Sequence, residues 1–171
     1  MKKYEFTGET KEIRLLFRTA TLHRIRATVA FGIVEVGDLG GWIEKEENLS
    51  HEGKAWVCGD AKVWGNAKVC GDAEVWGNAK VWGNAKVFSA SHVLVIGAIG
   101  SRNDFTTFYR DKDNEITVKC GCFLGKIDRF LEKVTQTHGD SKYALVYRAA
   151  VEVAKLQIDL SGEAPKDADE E

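Results

Sequence analysis

The chain has 171 residues, of which 44% are hydrophobic, enough for one packed domain or one domain with a small appendage, so wholesale disorder is not expected. A net charge of -2 argues against a general electrostatic grip on nucleic acid or on an acidic membrane. Lys2 and Lys3 lead into mixed charged sequence rather than an apolar segment, and the longest apolar run, residues 93–99, is far too short to span a bilayer. The expected compartment is the cytoplasm, with the four cysteines as reduced thiols.

Residues 4–32, "YEFTGETKEIRLLFRTATLHRIRATVAFG", alternate enough for two or three strands. Their basic side chains Lys11, Arg14, Arg18, Arg24 and Arg26 are read as a solvated face. "VGDLGGWIEKEENLS" is too irregular to be a repeat and reads as the end cap that repeat arrays require. The N-terminal strands and cap therefore occupy 1–50.

A six-residue repeat fills 51–100. Val57, Val63, Val69, Val75, Val81, Val87 and Val93 share one phase, Gly59 to Gly83 a second, and Ala61 to Ala85 a third. Cys, Trp or Phe, then Asp or Asn, then Lys or Glu fill the positions between. Alternation of period two means β-structure. A single strand over residues 57–88 would reach roughly 100 Å, so the chain must turn, and Gly-Asp or Gly-Asn supplies a corner every six residues. An antiparallel meander and a parallel β-helix both satisfy this pattern. The β-helix is the expected fold, because it encloses the small valine and alanine side chains on every side.

In the third region, 101–160, "FTTFYRDKDNEITVKC" reads as a β-hairpin with Asp111 to Glu115 at its tip. "KIDRFLEKVTQTH" and "SKYALVYRAAVEVAKLQ" carry helical spacing, broken at His138-Gly139-Asp140, with Ser141 as an N-cap. An acidic tail, 161–171, is expected to be disordered.

The run V-x-G-[DN]-A-x is similar to the hexapeptide repeat of left-handed β-helix proteins. That resemblance implies a triangular prism with three hexads per turn. The predicted fold class is therefore mainly β, a left-handed parallel β-helix with an N-terminal β cap and a C-terminal hairpin plus two helices. "GDLGGWI", "ENLS", "GSRND", "CGCFLG" and "THGDSKY" also resemble a group of phage and bacterial hexapeptide-repeat proteins labelled transferases on repeat content alone. The resemblance implies a homo-oligomer, a trimer in most such families, and it names no reaction.

With three hexads per turn, Trp64 stacks under Trp82, Asn66 under Asn84 and Lys68 under Lys86, all pointing outward. Wet indoles are costly, so something must cover them. The N-terminal strands and C-terminal helices are one cover, a second copy of the chain is another, and a stacked ligand is a third. The candidate ligand-binding residues are Trp64, Trp82, Asn66, Asn84, Lys68 and Lys86, with Arg102 and Lys119 as a grip for phosphate or carboxylate.

Hexapeptide acyltransferases, as the resemblance implies, use a histidine general base between subunits. His51 and His92 lie on or beside the repeat, and His92 is the better candidate catalytic residue because it takes an outward even position, with acyl-CoA as the alternative cofactor. No other cofactor and no metal site are expected. Cys120 and Cys122, with His138 as base, form a separate nucleophile candidate. The expected function is a non-catalytic, self-associating binding protein for a small anionic or nucleotide-like ligand or for a host protein, with phage interference in a host pathway as an extension. The alternative is an acyltransferase.

Overall fold

A computed structural model of the protein describes residues 1–15 and 17–162. Most of the expected acidic tail, 163–171, lies outside the described residues. The chain opens with a long antiparallel pair, β1 (Tyr4–Arg14) and β2 (Thr19–Ala27), followed by β3 (Leu39–Ile43). The repeat then contributes two-residue strands: β4 (Trp56–Val57), β5 (Lys62–Val63), β6 (Lys68–Val69), β7 (Glu74–Val75), β8 (Lys80–Val81) and β9 (Lys86–Val87). Four longer strands follow, β10 (Val93–Ile99), β11 (Asp104–Arg110), β12 (Ile116–Cys120) and β13 (Phe123–Lys126), then helices α1 (Ile127–His138) and α2 (Lys142–Gln157).

This arrangement corrects the expected fold class. The protein is mainly β, but its strands fall into several small separate sheets rather than a left-handed parallel β-helix. A mixed sheet runs in the order β1-β2-β3-β5-β8, an antiparallel sheet β10-β11-β12-β13, and β4-β7 and β6-β9 form two-stranded parallel sheets. A corner every six residues limits each repeat strand to two paired residues, so none of these sheets is built from the repeat at length. Within the repeat, parallel partners are 18 residues apart, Lys62 with Lys80, Val63 with Val81 and Val69 with Val87. Antiparallel strands take over on both sides of it.

The alternation dictates what lies inside. Ala55, Val57, Ala61, Val63, Ala67, Val69, Ala73, Val75, Ala79, Val81, Ala85 and Val87 are all fully buried in one cluster. β3 approaches this cluster closely, which explains "GGW". A Cβ on Gly40 would lie 2.5 Å from Ile25 Cγ1 and 2.7 Å from the Val57 carbonyl oxygen, and one on Gly41 would lie 2.7 Å from the Ala61 oxygen. "ENLS" has an equally local reason. Buried Asn48 donates to the carbonyls of Gly65 (3.1 Å) and Ala67 (2.8 Å), while its own oxygen accepts from Lys45 N–H (3.0 Å).

The first residues tie down the start of the repeat. Lys3 is buried and donates to the Ala55 carbonyl (2.8 Å), and Tyr4 Oη donates to that of Leu49 (2.8 Å). Burial pushes the Lys3 ammonium down to about 8. The basic side chains of the opening pair meet acidic neighbours, Arg24 with Glu9 (3.5 Å), Arg26 with Glu5 (2.5 Å) and Arg18 with Glu44.

A second core lies between the antiparallel sheet and the helices, where Phe108, Val118, Phe130, Val134, Tyr147 and Val151 meet. β11 fastens this unit to the repeat: Thr107 Oγ1 accepts from Lys80 N–H (3.0 Å), and Tyr109 Oη donates to the Trp82 carbonyl (2.7 Å). Buried Arg110 holds the chain leaving α2 by donating to the carbonyls of Ser161 (2.7 Å) and Gly162 (2.6 Å). Among the described residues no helix is long and apolar enough to cross a membrane.

Replacing Gly41 with alanine tests the close approach of β3. The added methyl overlaps a backbone oxygen that cannot swing away, and overpacking of this kind costs about 1–3 kcal/mol. A Gly41→Ala variant is expected to unfold at a clearly lower urea midpoint than the parent with an unchanged slope.

Candidate functional site

The outward residues of the repeat have three different fates. Trp64 is 2% exposed, packed among Leu22, Trp42, Ile13 and Leu15 of the opening strands. Its ring stacks on that of Trp82, with centroids 5.8 Å apart and planes 15° from parallel. The 18-residue stacking thus places Trp64 and Trp82 together, but the chain's own N-terminal strands cover Trp64, so it offers no open platform. Trp82 is half-buried, with Lys119 Nζ 5.9 Å from its ring centroid. Trp76 stays open at 51% exposure, beside Leu94 and Phe105. Asn66 and Asn84 are exposed, while Lys68 and Lys86 are half-buried and aligned as neighbours across β6 and β9.

His92 is not outward. It is 2% exposed, edge-on to Phe88, and its Nδ1 accepts from Phe88 N–H (3.3 Å) while Nε2 lies 3.4 Å from Arg110 Nη1. A neutral imidazole has one lone pair, and the backbone uses it. Burial, then the Arg110 charge, pulls its pKa down. His92 therefore has no open lone pair to take a proton from an acceptor substrate.

Arg102 and Lys119 both reach the Gly121 turn, Lys119 Nζ by donating to the Gly121 carbonyl and Arg102 by lying where a Cβ on Gly121 would come within 2.9 Å of Nη1. They do not share a site, because Lys119 faces Trp82 while Arg102 turns toward the helices. Burial, then Lys80, lowers the Lys119 pKa.

The chemistry-bearing groups converge beneath the helices. A recess of about 220 Å³ is lined by Arg102, by Cys120 and Cys122 at the β12–β13 turn, by Lys133 and His138 of α1, and by Tyr147 of α2. Phe123, Phe130 and Val134 form its apolar wall. The helices bring His138 back over the sheet, with its ring 5.7 Å from that of Tyr147. Burial, then Cys120 alongside it, pushes the Tyr147 phenol up to about 12, so it stays a neutral hydroxyl near neutral pH. Thr106 Oγ1 donates to Cys120 Sγ (3.3 Å). Among the described residues the lining contains no Asp or Glu. Asp104, close by in sequence, faces Lys80 instead (3.9 Å).

A second recess, about 230 Å³, opens between the repeat and the antiparallel sheet beside Trp82, Asn84 and Tyr109. Asp111, Asp113 and Glu115 bring their carboxylates within 4.8 Å of one another there. Lys126 already supplies the cation, bonded to Asp111 and lying 2.6 Å from Glu115. The spacing D-x-D-x-E was present in the sequence as a hairpin tip, but its convergence on Lys126 depends on the pairing of β12 with β13.

No protein-family model matches the chain, and the comparison with curated proteins finds no match. What the molecule does is therefore argued from its geometry.

The electrostatics around Asp111 give a pH signature. Burial by itself raises a carboxyl pKa, but hydrogen bonds from Lys126, Thr117 and the N–H groups of Asp113 and Glu115 outweigh it and hold Asp111 below its ordinary 3.8. A depressed folded-state pKa stabilises the fold above the unfolded value, and that contribution is lost as pH falls through the folded value. Urea unfolding between pH 7 and pH 2 is expected to show Asp111→Asn weaker than the parent at neutral pH, with the difference shrinking below about pH 4.

Proposed function

We propose that the protein binds a small organic anion in the recess beneath α1 and α2. One observation carries this reading: Arg102 from the turn before β11, with Lys133 and His138 from α1, line a recess whose lining includes no carboxylate among the described residues, in a chain whose net charge is -2. Arg102 offers a planar fork of N–H donors suited to a carboxylate or phosphate, and Lys133 a second positive charge. The Tyr147 hydroxyl supplies a neutral polar partner, and Phe123 and Phe130 an apolar wall.

The volume selects the size of ligand. An apolar cavity of about 150 Å³ accommodates benzene, so about 220 Å³ suits a single ring with one anionic substituent. A complete nucleotide would extend out of the opening. This narrows the expected anionic or nucleotide-like ligand to the smaller class. Acyl transfer through His92 has no observation in its favour, since that imidazole is buried and bonded to the backbone.

Calorimetric titration with phenyl phosphate and benzoate tests the reading, with benzyl alcohol as the uncharged control. Both anions are expected to bind and benzyl alcohol to bind far more weakly. A hydrogen bond to a charged group contributes about 1.5–3 kcal/mol, so Arg102→Ala is expected to weaken binding roughly ten- to a hundredfold, and Lys133→Ala to weaken it less. Equal binding of the alcohol and the anions, or no loss in Arg102→Ala, would remove the proposal.

A further inference from the structure

Helix α2 is apolar on two sides. One side buries Ala144, Tyr147, Ala150, Val151 and Ala154 against the rest of the molecule. The opposite side displays Leu145 at 59% exposure, Val153 at 48%, Val146 at 39% and Leu156 at 89%. Val146, Ala149, Val153 and Leu156 recur at spacings of three, four and three, which is the seam of a helix that packs along another helix. A soluble surface helix ordinarily turns charged residues outward here.

We propose that a second copy of the chain covers this stripe, with the two α2 helices antiparallel about a two-fold axis level with Val151. The sequence of the stripe is matched to its own reverse. In that register Val146 meets the partner's Leu156 and Ala149 meets the partner's Val153, so the smaller side chain of each layer faces the larger. The ends are complementary in charge. Lys142, the first residue of α2, comes level with the end of the partner's helix, where Asp159 is exposed and the last carbonyls carry the negative end of the helix dipole. Parallel pairing would instead set Lys142 against Lys142 and Asp159 against Asp159. At the edge of the stripe Glu152 is neutralised within its own helix by Lys155 (2.8 Å), so it does not repel its equivalent.

A two-fold contact of this kind is closed and yields a dimer rather than a filament. It uses the side of α2 away from Tyr147, so the recess and the dimer stand or fall independently.

Light scattering of the full chain across a hundredfold range of concentration tests the contact. The expected mass is twice the 19.0 kDa of one chain, falling to that of one chain on dilution. Leu156→Glu, at a position already exposed in the single chain, is expected to remain monomeric with an unchanged circular dichroism spectrum. Lys142→Glu and Asp159→Lys are each expected to weaken the dimer severalfold, and the two together to restore it. A parent chain that stays monomeric throughout, a dimer unaffected by Leu156→Glu, or charge reversals that fail to compensate would each overturn the proposal.

Discussion

Ala61, Val63, Ala67, Val69 and their counterparts along the repeat have no exposed surface, and their parallel partners sit one strand spacing, about 4.8 Å, away. Interiors at that density do not absorb an extra methylene without displacement. Every residue larger than valine is therefore sent outward by the alternation, which is why the repeat places tryptophan on its surface. The same crowding admits β3 only because Gly40 and Gly41 have no Cβ. The antiparallel opening strands, which pair with β3, reach the repeat through that narrow point.

Sending indoles outward creates the demand that the rest of the chain meets. Burying one such ring removes about 150–250 Å² from water, which at about 25 cal/mol per Å² stabilises the fold by roughly 4–6 kcal/mol. The opening strands supply that cover for Trp64 through Leu22 and Trp42, and the stacked Trp82 is covered in part by the same cluster. Trp76, on another face, has Leu94 and Phe105 of the C-terminal flank beside it and still keeps 51% exposure. Cover by the chain itself explains how two-residue strands persist, since such strands contribute few hydrogen bonds of their own.

Local features were legible in the sequence to the extent that they rest on local physics. Period-two alternation marked β-structure in residues 57–88, the glycine corners marked the turns, and 3.6-residue spacing marked the helices Ile127–His138 and Lys142–Gln157. The overall fold class was not legible. Repeat periodicity describes the strands that carry it, but not the antiparallel strands that enclose them, so the expected β-helix gives way to several small sheets. His92 was misplaced for a related reason: its even position counts as outward only while the repeat continues, and the chain has already bent into a 3-10 turn, Ala90–His92, that drops the ring beside Arg110. For the recess, the sequence showed Cys120, Cys122 and His138 as candidates, but His138 lies 16 positions after Cys122, and only the return of α1 over the sheet brings them to one recess.

The pleat decides which side of the antiparallel sheet Lys119 takes. Successive residues of β11 and β12 point to opposite faces of the sheet. Thr107, Tyr109 and Lys119 accordingly meet the repeat, at Lys80, the Trp82 carbonyl and the Trp82 ring. Phe108, Val118 and Cys120 meet the helices, and Thr106 bonds to Cys120 on that same side. Lys119 is thereby turned to the repeat, while Arg102, in the turn between β10 and β11 rather than on a strand, lies on the side of the helices. The sheet is thus a partition: its inner face closes the repeat, and its outer face, freed from that task, leaves room under α1 and α2 for a cationic recess.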